Sequence, residues 1–150
     1  MCAHSSALRR GRHSEAGRVY LITTVTRGRE RVFSDFQLAR SAIGELRQGD
    51  SLGRCRTLAF VLMPDHLHWL LRIEAGALSQ AVRLFKANSA KVVNRCRDTA
   101  GTPLWQHGFH DHALRREEDL VATARYIVAN PLAGLVARVG DYPHWDAAWL

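Results

Sequence analysis

The sequence predicts an α+β fold: a ferredoxin-like antiparallel sheet on a βαββαβ core, with helices packed on one face and a further helix near the C-terminus. Three observations carry this. Strand-length apolar runs alternate with helical periodicity in the order strand, helix, strand–turn–strand, helix, strand, helix. The central strands are separated only by Pro64-Asp65, turn residues that make the pair a β-hairpin. Both stretches of helical periodicity inside that core are amphipathic, so each has one face to bury.

The chain's 150 residues suffice for one domain with one proper core, expected over residues 18–150. Residues 1–17 carry Arg9, Arg10 and Arg12 without apolar periodicity and read as a flexible basic arm. The first strand covers 18–26, rich in β-branched residues, and Arg27 to Arg31 follow as a basic loop. Ser34 or Asp35 is placed to cap a first helix whose apolar set is Phe36, Leu38, Ala39, Ala42, Ile43 and Leu46. The hairpin follows, its second strand reaching about Ile73.

A second helix is expected over 78–97, with Leu78, Val82, Phe85, Val92 and Cys96 on its apolar side. Arg83, Lys86, Asn94 and Arg97 gather on the other side, as a phosphate-contacting face or a solvated one. Residues 104–114 read as a strand in which His110 and His112 share a face and His107 takes the other. Substrate contacts or an exposed edge suit these three better than a second metal site. Acids at 117–119 open a last helix, which ends near Asn130 because Pro131 pushes its predecessor out of the α region. The tail around Tyr142 and Trp145 reads as loop.

Composition narrows the function. No apolar run approaches the roughly 18 residues of a membrane span, and the N-terminus leads into arginines, so a cytoplasmic protein without membrane contact is expected. Cys2, Cys55 and Cys96 form no CxxC pair, which argues against disulfides and thiolate zinc. A net charge of +7 and a pI near 10.2 favour a polyanionic partner. Arg27, Arg29, Arg83, Lys86 and the arm arginines are the candidates to meet it.

Two places carry chemistry. His66 and His68 stand two apart on a strand and therefore project from one face, where they form either a chelating pair or a solvent-facing polar pair. On the last helix Tyr126 lies roughly 150° from the centre of the apolar side, sharing a polar face with Asn130 one turn on. An exposed tyrosine before an Asn-Pro helix stop reads equally well.

The ordered set Met63-Pro64-Asp65-His66-Leu67-His68, Trp105-Gln106 with Phe109-His110-Asp111-His112, and Arg125 to Pro131 resembles the single-tyrosine HUH transposases, specifically the REP-associated tyrosine transposases. Gly134-Leu135-Val136 and Asp141-Tyr142-Pro143 extend the resemblance, which covers about residues 18 to 145. Leu21 departs from it, since many relatives carry His there. The resemblance implies that Tyr126 is the nucleophile and that His66, His68 and Asn130 hold Mg²⁺ or Mn²⁺. It also implies single-stranded or hairpin DNA as substrate, a 5′-phosphotyrosine intermediate, and a monomer or homodimer. Two rival classes are a non-catalytic nucleic-acid binder and a metal-dependent phosphodiesterase without covalent intermediate.

Overall fold

The computed structural model describes residues 17–115, 117–132 and 142–147. The elements are β1 (Val19–Val25), α1 (Phe36–Ser51), β2 (Cys55–Met63), β3 (His66–Ile73), α2 (Leu78–Arg97), β4 (His110–Ala113), α3 (Glu117–Val128) and β5 (Trp145–Ala147). They build the expected α+β fold on one antiparallel sheet of order β4-β1-β3-β2-β5. The arm arginines Arg9, Arg10 and Arg12, the Gly134-Leu135-Val136 segment and Asp141 lie outside the described residues.

Strand alternation divides the apolar side chains between two cores. Tyr20, Ile22, Phe60, Leu62, Leu67, Trp69 and Leu71 face α1 and α2. Val19, Ala59, Val61, Met63 and Leu70 point the other way and meet Leu120, Ala124, Ile127 and Val128 of α3. The sheet is thus covered on both faces, with α3 the helix on the second among the described residues.

Asp35, not Ser34, caps α1, its carboxylate accepting from the backbone N–H groups of Gln37 and Leu38. In α2 the buried stripe runs through Phe85, Ser89 and Val93, while Val92 is half-buried and Cys96 exposed. Ser89 holds its place because the Trp105 indole N–H donates to its hydroxyl at 2.9 Å. Asn94, expected on the polar side, is buried instead. Its amide donates to the Thr102 carbonyl and accepts the Thr99 hydroxyl, tying down the helix end.

The expected strand over 104–114 is shortened to β4. Trp105 makes one bridge to Thr26, and Gly108 then turns the chain in the left-handed region at φ 78°. The Lys86 ammonium takes the carbonyls of Gln106 and Gly108, each at 2.6 Å, in place of ladder partners. The tail differs too. Trp145–Ala147 pairs with the outer edge of β2, and buried Tyr142 donates its hydroxyl proton to the Leu62 carbonyl. Three residues carry no readable period, so only the waiting edge reveals this strand.

Candidate active site

The site begins at the β2–β3 turn. Pro64 and Asp65 reverse the chain, and three contacts fix the reversal. The Phe33 N–H donates to the Pro64 carbonyl, and the Thr26 N–H donates to that of Asp65. The Thr26 hydroxyl, fully buried, lies within reach of both the Asp65 and Glu30 carbonyls. The turn is pinned from below, which sets where His66 starts.

His66 and His68 emerge on the face that α3 covers, since Leu70 two residues on packs against that helix. Their ring centroids are 4.9 Å apart, edge to face. Each ring is held at Nδ1. The Asp65 carboxylate sits 2.7 Å from Nδ1 of His66, and the Thr23 hydroxyl 2.9 Å from Nδ1 of His68. Partial burial pushes the Asp65 carboxyl up, but the His66 hydrogen bond and the Arg29 guanidinium, 3.2 Å away, outweigh it and hold it below the usual carboxylate range. An ionised Asp65 only accepts, so Nδ1 of His66 carries a proton, and Nε2 is the nitrogen left to serve as a ligand when the ring is neutral.

Burial, and then the charge of His66, push His68 down to about 4, so this ring is neutral at pH 7. When Nδ1 donates to Thr23, its Nε2 is free as well. Two imidazoles, each oriented through Nδ1 by an oxygen, are the donor arrangement a divalent cation takes. Among the described residues no cluster of three or more His, Cys, Asp or Glu is arranged to hold a metal ion.

Tyr126 sits on α3, its ring 68% exposed and without a hydrogen bond to any described residue. Asn130 follows half-buried in the short 3-10 turn Asn130–Leu132. The histidines are brought together directly. Tyr126 and Asn130 are related to them through α3, which packs on the same sheet face.

Arg27, Arg29 and Arg83 are exposed, Arg29 in the left-handed region at φ 53° where it reaches Asp65. Lys86 is tied to the two carbonyls already described. Thr23 pairs in register with both His68 and His110, which puts exposed His110 and His112 on the histidine face too. The parts that sequence reasoning missed are Asp65, legible only as a turn residue, and Thr23, whose role depends on cross-strand register.

A protein-family model described as "Transposase IS200 like" matches residues 18–130. The chain is 27% identical over 99 residues to a Haemophilus influenzae protein named "Putative REP-associated tyrosine transposase", covering 59% of this chain and 56% of that protein. It thus spans about half the length of that curated relative. The fold resembles the structure titled "REP associates tyrosine transposase bound to a REP hairpin", with TM-score 0.70 and 24% identity over 89% of this chain and 79% of that one. It also resembles a "putative transposase" from Deinococcus radiodurans, with TM-score 0.57 and 22% identity over 79% of this chain and 94% of that one.

Proposed function

This chain belongs to the IS200-like transposase family, and on that premise we propose that it cleaves and rejoins single-stranded hairpin DNA through Tyr126. The observation that carries the reading is the pair of imidazoles, each oriented through Nδ1, on the sheet face covered by the helix that exposes Tyr126. The hairpin belongs to the reading because a fold neighbour is described as bound to one.

The phenol oxygen of Tyr126 attacks the scissile phosphorus. The bond to the 3′ oxygen breaks, leaving a 5′-phosphotyrosine and a free 3′-hydroxyl. Attack by a DNA hydroxyl on that phosphotyrosine rejoins the strand, so no nucleotide triphosphate is consumed. A phenol of pKa near 10 is a weak nucleophile at neutral pH and needs its target made electrophilic. His66, His68 and Asn130 would hold a divalent ion, Mg²⁺ or Mn²⁺, which would supply that Lewis acidity. Asp65 and Thr23 keep both rings aimed, and the exposure of Tyr126 leaves its oxygen reachable by a substrate as large as DNA. Arg27, Arg29 and Arg83 offer charge to the backbone, with Arg9, Arg10 and Arg12 adding to it from the arm.

The test is a denaturing gel with labelled hairpin DNA. Wild-type protein with Mn²⁺ yields a protein-linked band, and Tyr126→Phe binds the hairpin but yields neither adduct nor cleavage. Cleavage without an adduct supports a phosphodiesterase using water, and binding without cleavage supports a non-catalytic binder.

A further inference from the structure

Between α2 and residues 104–109 lies a cavity of about 520 Å³, a volume in the range of small-ligand sites. One wall is the Arg83, Lys86 and Ala87 side of α2, and the other is the chain from Trp105 to Phe109. Among the described residues no acidic side chain lines it. The walls are braced before any ligand arrives. Lys86 holds the carbonyls of Gln106 and Gly108, and Trp105 packs between Phe33 and Phe85 while its indole N–H is held by Ser89.

Its position gives the cavity meaning. The Gln106 N–H donates to the Val25 carbonyl at 2.8 Å, and Val25 is the register partner of His66. At a strand spacing of about 4.8 Å, Gln106 therefore lies about 10 Å from His66 across β1. Four residues on, His110 stands opposite Thr23, itself opposite His68. Along β1 that span, Val25 to Thr23, is only two residues. The surplus chain bulges outward, and the bulge is the outer wall of the cavity.

We propose that this cavity is a subsite for one unpaired nucleotide of the DNA strand near the scissile phosphate. The proposal rests on the function given above. The apolar floor takes the base, Arg83 at the wall takes its phosphate, and Gln106 and His107 of the outer wall offer polar groups to the base edge. The strand then passes from the histidines on the α3 face round the β4 edge of the sheet to the cavity on the α2 face, so a base is gripped a few nucleotides from the cut.

The test compares hexathymidylate with an abasic hexamer of the same phosphate number, titrated against the full chain by fluorescence anisotropy and by indole and amide chemical shifts. Wild type is expected to bind hexathymidylate about tenfold more tightly than the abasic strand and to shift the Trp105 indole and Gln106 signals. Ala87→Leu, at an exposed helix position that tolerates leucine, fills the cavity and should close that gap, whereas Ala87→Ser should keep it. Equal affinity for the two strands in wild type overturns the subsite, leaving only a phosphate contact. So does a gap that survives Ala87→Leu, and so does failure of wild type to bind either strand. Failure of the transposase reading registers elsewhere, as a missing adduct on the denaturing gel with the hexathymidylate preference intact.

Discussion

The Asp65 carboxylate does for His66 what the Thr23 hydroxyl does for His68: it occupies Nδ1 and leaves the other nitrogen outward. Losing such an oxygen partner typically lowers metal affinity about 10–100-fold. Asp65→Ala is therefore expected to weaken Mn²⁺ binding by that order in calorimetric titration, with Asp65→Asn falling between it and wild type. A wild-type titration curve for Asp65→Ala would remove the residue from the site. Asn130 faces a different test. Asn130→Asp adds an anionic oxygen at the same shape and should tighten Mn²⁺ or change its preference over Mg²⁺, while Asn130→Ala should weaken it. If both variants titrate like wild type, Asn130 is a helix stop and nothing more. At this scale the sequence showed the parity of His66 and His68 and the exposure of Tyr126, because both follow from a period. It could not show that Asp65 folds back on its neighbour or that Thr23 meets His68 45 positions away.

The elements teach the same lesson through α2 and the chain beyond it. Hydropathy alone puts Lys86 on a polar face ready for phosphate, yet its ammonium is spent on two carbonyls of the Gln106–Gly108 bend. Lys86→Met should cost roughly 1–3 kcal/mol in urea denaturation, since two charge-assisted hydrogen bonds are lost. A residue serving only DNA would leave stability untouched and lower affinity alone. The hairpin and both core helices were legible because their patterns are long. The shortened β4 and the three-residue β5 were not. The first is decided by a left-handed glycine, and the second by an open edge on β2 that no local pattern announces.

At the scale of the whole molecule, charge and burial set how it responds to solution conditions. A chain of net charge +7 that neutralises phosphates should lose DNA affinity steeply with salt. Deleting residues 1–12 removes Arg9, Arg10 and Arg12 and should flatten that slope, whereas an unchanged slope would remove the arm from the interface. Stability should respond to acid through two histidines. Burial, with the charge of His66 second, holds His68 near 4; burial, with Arg40 second, also lowers buried His144. Both folded values lie below the unfolded value of about 6.5, so the unfolded chain binds more protons as pH falls past it. Metal-free protein is therefore most stable above about pH 6.5 and weakens progressively toward pH 4, by on the order of 2–3 kcal/mol for His68. Thermal melts in chelator across that range measure it, and a flat profile would contradict neutral burial.

In chain order α3 stands between β4 and β5, and the sheet order places those strands at its two opposite edges. The helix that carries Tyr126 is in effect a strap laid against the sheet, sharing its cluster with Ala147 of β5. Lifting it exposes Ile127 and Val128 and uncovers Ala147 of β5, which packs in the same cluster and pairs with Ala59. Opening should then be a single event, so the backbone amides of α3 and β5 should exchange with deuterium at a common free energy. The tyrosine ring, already in solvent, can sample its rotamers on the nanosecond scale while the strap stays fastened.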